Sequence, residues 1–470
     1  MEKIELNHLI FDKVKEAATS LGLDTYVVGG YVRDQLIGRE SKDIDFVCVG
    51  SGIELARKVA SLLSPSLKVN FFKTYGTAQF VWEGWELEFV GARKESYRKD
   101  SRNPLIEEGS LTDDQNRRDF TINALAASVN VDDFGKIIDP FNGIEDLKNG
   151  IIQTPLNPDI TFSDDPLRMM RAIRFASQLN FTVAEPTLKA IERNKERIGI
   201  ITQERITTEL NKIILAKKPS IGFLLLDQTG LLPFIFQELS ELKGVDYFKN
   251  QGHKDNFYHT LQVLDNLSEN TEHLWLRWSA ILHDIGKPKS KRFEEGNGWT
   301  FHGHEVIGER MTQNIFKKLK LPLNQEMKYV QKLVRLHLRP IPIARDEISD
   351  SAIRRLLFDA GDDIDDLMML CEADITSKNE LKVKRILANF QIVRTKLKEI
   401  EEKDHIRNFE PPISGELIMQ AFDLKPCKEI GIIKNQIKDA ILDGDIPNEL
   451  NAAQKLMFQL GEKMGLKKVV

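Results

Sequence analysis

Two aspartates one residue apart, Asp43 and Asp45, open the apolar run Ile44-Asp45-Phe46-Val47-Cys48-Val49, nine residues after the segment Val28-Gly29-Gly30-Tyr31-Val32-Arg33-Asp34. Strand residues two apart point to the same face, so both carboxylates can hold divalent cations together. The glycine pair lets the backbone turn tightly and approach a ligand closely. The helix expected from Tyr31 to Ile37 then offers an N-terminus that attracts phosphate. Phosphoryl transfer needs this combination: one metal activates an attacking hydroxyl and the other steadies a leaving pyrophosphate. Alone, a Gly-Gly pair is an ordinary turn and Asp-x-Asp an ordinary solvated loop edge. Their joint spacing, with Arg33 and Asp34 between them, favours the chemistry.

Further along, Ser163-Asp164-Asp165-Pro166-Leu167-Arg168-Met169-Met170-Arg171-Ala172-Ile173-Arg174 sets arginines three residues apart, with Asp165 at i, i+3 from Arg168. Acceptor and donor then stand side by side. Cytosine and adenine each present an amino donor next to a ring-nitrogen acceptor, whereas guanine and uracil present a carbonyl next to a ring N–H. A carboxylate beside a guanidinium could therefore select C and A. The same segment also reads as a common helix start, with Asp165 as N-cap before Pro166. Between the two motifs, Arg117-Arg118-Asp119 precedes an expected apolar helix, Phe120 to Leu125; guanidinium forks suit triphosphate oxygens, though an acidic residue at a helix start needs no ligand.

The positioning elements follow from periodicity. Residues 3 to 20 read as a helix, Tyr26 to Val28 as a strand, and Ser51 with Glu54 as a capping box. Strands are expected over Lys68 to Phe72, Thr77 to Trp82 and Trp85 to Val90, and Ala92 to Asn116 reads as a mobile loop rather than a packed element. Beyond Asp165 the pattern is helical almost to the end. At 470 residues several domains are expected. We place them at 1–150, 151–245, 246–380 and 381–470, with a junction across Gly244 to His253. Hydrophobic content of 41%, 29% charged residues and no run of ~20 apolar residues describe a cytosolic chain without a membrane span. Cys48, Cys371 and Cys427 are too scattered for a disulfide framework. A net charge of -5 argues against a wholly basic surface, yet Arg168 to Lys218 holds eleven Lys or Arg against five Glu, a local excess that could follow a phosphate backbone.

In their order, Gly29-Gly30-x-x-Arg33-Asp34, Asp43-x-Asp45, Arg117-Arg118-Asp119 and Asp165-x-x-Arg168 resemble the class II tRNA nucleotidyltransferase and bacterial poly(A) polymerase family, over roughly residues 20 to 240. The resemblance implies an α+β fold: a polymerase-β-like head with a mixed sheet, then an all-α neck and body. It implies CTP and ATP as substrates and the tRNA 3′ end as acceptor. It assigns magnesium to Asp43 and Asp45, the nucleotide phosphates to Gly30 and Arg33 beside Gly29, the triphosphate to Arg118 and the base to Asp165 and Arg168. Arg171 and Arg174 match further nucleotide-contacting arginines. Asp164 stands where the family has Glu, a shorter arm that bears on support of the pair rather than on the pair itself. Glu88 is a candidate third carboxylate.

Seven of nine histidines fall between His253 and His337. Among them, His283-Asp284-Ile285-Gly286-Lys287 resembles the HD phosphohydrolase domain, expected here as all-α with a helical tail. That resemblance implies His259, His283, Asp284 and Asp374 as ligands of a divalent transition metal of open identity, with His304 and His337 for a second metal and Lys287 near the phosphate. Three functions are carried forward. The first is CCA addition or repair at tRNA ends, with the hydrolase cleaning those ends. The second is a poly(A) polymerase or an A-only or CC-only enzyme. The third is an HD phosphohydrolase whose head only binds RNA. Oligomeric state stays open.

Overall fold

Strand β1 (Thr25–Val28) ends where helix α2 (Gly30–Leu36) begins, and β2 (Asp43–Cys48) runs antiparallel to it, pairing Val28 with Asp45. This computed structural model describes the chain except residues 1, 73–75, 99–100, 246, 249–250, 253–254, 344–348, 378, 405, 408 and 470, and describes only the backbone at 95–98, 101–106, 247–248 and 251–252. His253 therefore lies outside the described residues. Two compact units divide the chain, Met1–Gln237 and Glu238–Val470.

In the first unit β3 (Asn70–Phe72), β4 (Thr77–Trp82), β5 (Trp85–Gly91), β8 (Ala126–Ser128) and β9 (Ile137–Ile138) complete a seven-stranded mixed sheet in the order β3-β4-β5-β2-β1-β8-β9. Only β2 and β5 pair in parallel, bringing Asp43 opposite Glu86 and Asp45 opposite Glu88. Helices α1 (Leu9–Leu21) and α3 (Gly52–Leu63) cover one face, where Phe11, Val14, Leu55 and Val59 bury against Ile44, Phe46 and Phe89. Phe46 and Phe89 stack at 5.0 Å. Alternation along β2 then turns Asp43, Asp45 and Val47 to the other face, and Val47 joins a small separate cluster with Val28, Ala92 and Ala126.

Several expectations change here. Helix α1 starts at Leu9 rather than residue 3, because Ile4 N–H donates to Gly135 and His8 caps the helix. The segment expected as a mobile loop forms a hairpin of β6 (Arg93–Arg98) and β7 (Ser101–Glu108), then α4 (Leu111–Asn116), capped by a Ser110–Asp113 box. Its polar composition hid a paired, two-sided ribbon from hydrophobic periodicity. The helix expected after Arg118 is one 3-10 turn, Thr121–Asn123: Phe120 is extended, and the chain beyond must pair with β1.

Strands persist past residue 150, although only as short pairs. Helix α5 (Gly143–Asn149) leads into β10 (Ile151–Ile152), α6 (Pro158–Asp164), α7 (Leu167–Leu179), β11 (Thr182–Val183), α8 (Glu185–Asn194) and α9 (Gln203–Ile214), with β10 and β11 parallel. The second unit is built of helices as expected, with only the short hairpin Arg292–Glu294/Gly298–Thr300 and the pair Tyr247–Phe248/Gln251–Gly252 as extended pairs among the described residues. No helix among the described residues is long and apolar enough to cross a membrane.

Candidate active site and metal centre

Gly29 turns the chain out of β1 at φ +74°, a region costly for residues with a Cβ. A Cβ there would stand 2.9 Å from Arg118 Nη1 and 3.9 Å from Asp45 Oδ2, so bare backbone lies against both groups. Gly30 differs: its Cβ would meet only Arg33 Nη2, at 3.8 Å. Arg33 is 7% exposed, forks onto Asp34 at 2.9 Å and donates to Asn123 Oδ1 at 2.7 Å.

The carboxylates of β2 and β5 crowd one another. Burial, opposed by Arg118 and reinforced by Glu88 and Asp43, pushes the Asp45 carboxyl up to about 6. Asp43 is raised by burial and by Glu86, and Glu88 by burial and by Asp43. A cluster of acids that resists ionisation is the donor set a divalent cation would relieve. Asp43, Asp45 and Glu88 do not, however, close into a three-ligand group of the tightness described below for the histidines.

Opposite Asp45, the wholly buried Asp114 of α4 receives two arginines. Arg118 donates through Nε and Nη2 to Oδ2 at 3.0 and 2.9 Å, and Arg117 through Nε to Oδ1 at 2.9 Å. Burial works against that carboxylate, but the two guanidinium groups hold it below its ordinary range. Asp119 receives the Phe120 N–H at 2.9 Å, Asn123 Nδ2 at 3.0 Å and Arg171 Nε at 2.6 Å. Burial alone would raise it; Arg171, Asn123 and Arg168 bring it down to about 2.

Arg117, Arg118, Asp119, Asp165, Arg168, Arg171 and the α9 residues Arg205, Thr208 and Glu209 line a cleft of about 380 Å³. Asp165 ends α6 and its Oδ1 accepts the Leu167 N–H at 3.2 Å, while Pro166, not Asp165, leads into α7. The expected cap is thus a single loose bond. Arg168 donates to the Arg117 carbonyl at 2.7 Å. Arg174 is 8% exposed and lies behind this wall, paired with Glu209 at 2.7 Å and 3.9 Å from the Phe175 ring centre. Arg118 joins the two halves, standing beside Asp45 through Gly29 and beside Asp165 and Arg168 through the cleft. Asp114, Asn123 and Glu209 were not singled out from sequence, and Asp119 was read there only within the Arg117-Arg118-Asp119 motif and as an acidic helix start. An acid three and four residues before Arg117 and Arg118 was the one available signal.

In the second unit, five elements converge on Asp284. His259 lies on the helix Asn256–Ser268, His304 begins His304–Lys318, and His283, His337 and Asp374 follow the helices Leu274–Leu282, Gln325–Leu336 and Ile364–Ala373. Asp284 Oδ2 lies 3.2 Å from His283 Nε2 and 3.6 Å from His259 Nε2; its Oδ1 lies 3.3 Å from His304 Nε2. His304 and His337 meet through their Nε2 atoms at 3.3 Å, and Asp374 Oδ1 is 2.8 Å from His259 Nε2. Two groups, His259-His283-Asp284 and Asp284-His304-His337, each bring three ligand atoms within 4.8 Å of one another.

Each imidazole is oriented from behind, its Nδ1 held by Ala280, Phe301 or Val334 carbonyls at 2.7 to 2.8 Å or, for His259, by Thr376 Oγ1 at 2.9 Å. That is the outer support metal-ligating histidines use. His283 Nε2 is buried without a hydrogen-bond partner. Burial lowers His259, and lowers His337 to about 4, so both imidazoles favour the neutral form a metal requires. Lys287 Nζ sits 2.6 Å from Asp284 Oδ2. All six residues expected at this centre are brought together.

Comparisons agree with both halves. The Poly A polymerase head domain matches residues 25–153, the "probable RNA and SrmB-binding site of polymerase A" residues 180–243, and the HD domain residues 256–379. An A-adding tRNA nucleotidyltransferase of Aquifex aeolicus is 42% identical over 41% of this chain, although the match spans only 23% of that protein's own length. A multifunctional CCA protein of Haemophilus influenzae is 35% identical across 66% of this chain and 73% of its own. The crystal structure of the Bacillus stearothermophilus CCA-adding enzyme in complex with CTP shares the fold at a TM-score of 0.68 and 23% identity, covering 97% of this chain and 99% of that one. With head, RNA-binding and HD segments in that order, this chain belongs to the tRNA nucleotidyltransferase and poly(A) polymerase family.

Proposed function

We propose that the first unit is a template-independent nucleotidyltransferase that adds CMP and AMP from CTP and ATP to the tRNA 3′ end, completing or repairing CCA. The observation that carries this is the position of Arg118, which flanks the Gly29 turn together with Asp45, whose charge it opposes, on one side and lines the Asp165-Arg168 cleft on the other. One nucleotide laid along the cleft would reach the carboxylates with its phosphates and the α7 pair with its base.

The residues divide the work. Asp43 and Asp45 would hold Mg²⁺, which supplies charge neutralisation at the transferred phosphoryl group. The backbone at Gly29 and Gly30 takes the phosphates at close range, with Arg118 as guanidinium partner and the buried charge of Arg33 behind the turn. Asp165 accepts from the exocyclic amine of C or A, Arg168 donates to the neighbouring ring nitrogen, and Arg171 and the deeper Arg174 support that wall. G and U would set acceptor against carboxylate and donor against guanidinium, leaving both unpaired.

The basic α7 to α9 region suits a tRNA acceptor stem, and the chain acts in the cytoplasm. For the second unit we propose a phosphohydrolase centre that takes a divalent transition metal and processes phosphoesters at RNA ends. The purified chain, given Mg²⁺ and single labelled nucleotides, should add C, C and then A to tRNA lacking CCA, and A alone to tRNA ending in CC. Processive A addition to any RNA would indicate a poly(A) polymerase. Addition of A only would instead match an A-adding tRNA nucleotidyltransferase, as the Aquifex relative is named. No incorporation would leave the hydrolase as the principal activity.

A further inference from the structure

The glycine turn and the Arg171 wall of the cleft are joined by a buried polar relay. Arg33, under the glycine turn, donates to Asn123 Oδ1 at 2.7 Å; Asn123 Nδ2 donates to Asp119 Oδ1 at 3.0 Å; Asp119 Oδ2 receives Arg171 at 2.6 Å. Arg33, Asn123 and Asp119 are 7%, 5% and 6% exposed. A second connection runs beside it, because the Arg33 and Arg171 guanidinium carbons lie 5.1 and 5.5 Å from the centre of the same Phe175 ring. Asn123 belongs to the single 3-10 turn between Arg118 and β8 and also accepts Arg118 Nη1 on its backbone carbonyl at 3.4 Å. It is the one side chain in this chain of bonds that must both donate and accept.

We infer that Asn123 is a positioning residue for base selection: it couples occupancy of the phosphate site at Gly29 and Arg33 to the orientation of Arg171 on the base-reading helix. This rests on the nucleotidyltransferase function proposed above. The physical basis is the geometry of the amide. Its carbonyl can serve only Arg33 and its NH₂ only Asp119, so a shift of Arg33 toward bound phosphate rotates the amide and moves Asp119 and Arg171 with it. A triphosphate therefore sharpens discrimination at a base it does not touch. Side-chain networks of this kind show themselves as non-additive mutations.

The test measures the kcat/KM of CTP over that of UTP on tRNA lacking CCA, in wild type, Asn123→Ala, Asn123→Asp and Asp119→Asn. Both nucleotides are assayed on the same preparation, so partial loss of folded enzyme cancels in the ratio. Asn123→Asp keeps size and the acceptor toward Arg33 but loses the donor toward Asp119. We expect the ratio to fall about tenfold in each variant, through the KM for CTP, and Asp119→Asn added to Asn123→Ala to lower it little further. An unchanged ratio in both Asn123 variants, or fully additive losses, overturns the relay. A wild type that incorporates neither C nor A instead overturns the nucleotidyltransferase assignment, and the relay with it.

Discussion

Arg118 meets Asp114 through two nitrogens on one carboxylate oxygen, at 3.0 and 2.9 Å, while that oxygen's partner holds Arg117. A wholly buried acid thus aims two guanidinium groups at once. Removing one partner from such a set leaves buried donors unpaired, at about 1–3 kcal/mol. Asp114→Asn should therefore lower kcat/KM for the nucleotide roughly 10- to 100-fold, mainly through KM, because Arg118 loses its aim toward the triphosphate. Steady-state kinetics with CTP would show it; an effect on kcat alone would mean that Arg118 is not aimed by Asp114.

The glycine pair divides into one obligatory and one tolerant position. Gly29 carries φ +74° and has Arg118 Nη1 at 2.9 Å from its would-be Cβ, whereas Gly30 has nothing closer than 3.8 Å. Gly29→Ala should cost about 1–3 kcal/mol in stability, combining backbone strain with displacement of Arg118, and should abolish most activity. Gly30→Ala should leave the melting temperature within a degree or two, since alanine favours a helix over glycine. Equal thermal shifts in the two variants would contradict this division.

Much of the site could be read from spacing, since Asp43-x-Asp45 and Asp165-x-x-Arg168 are local patterns fixed by strand and helix periods. The HD ligands were legible only through resemblance, because His259 and Asp374 meet at 2.8 Å from positions 115 residues apart. The roles of Asp119, named only as part of its motif, and of Asn123 were illegible for another reason. Neither has a readable role until a 3-10 turn leading into β8 replaces the expected helix and brings them under Arg33 and Arg171. Arg174 shows the converse: its place in the arginine stripe is evident from sequence, but its burial against Glu209 depends on α9.

Metal-free protein should be destabilised by its own Asp45. Its carboxyl is raised from 3.8 to about 6, so the folded state favours the protonated form. The sign follows: the penalty is absent below about pH 4, grows as pH rises toward 6 and is complete above it, at roughly 1–3 kcal/mol. In EDTA at about pH 7.5, Asp45→Asn should melt several degrees above wild type, and the gap should close as pH falls to about 4. Mg²⁺ should stabilise wild type and not the variant, which would also be inactive. A variant that melts lower than wild type in EDTA would sink this account of the acidic cluster.

Asp284 predicts the metal stoichiometry of the second unit. Its Oδ2 faces His259 and His283 while its Oδ1 faces His304, which in turn meets His337, so one carboxylate serves two ligand groups. At saturating Mn²⁺ or Ni²⁺, wild type should retain about two equivalents per chain on the geometry of such sites. His337→Ala should retain one, because the His259 group remains whole, and His259→Ala should likewise lose only its own. Asp284→Ala should lose the equivalent on the His304 side, where Asp284 is the carboxylate that joins His304 and His337 among the described residues, and weaken the other, where Asp374 Oδ1 stays 2.8 Å from His259 and 3.6 Å from His283. Thr376→Val, which removes only the hydroxyl behind His259 Nδ1, should weaken one equivalent roughly 10- to 100-fold and leave the other unchanged. Metal content after dialysis, read by elemental analysis, separates these outcomes. If His337→Ala and His259→Ala each strip all the metal, the centre holds a single ion shared by all six ligands.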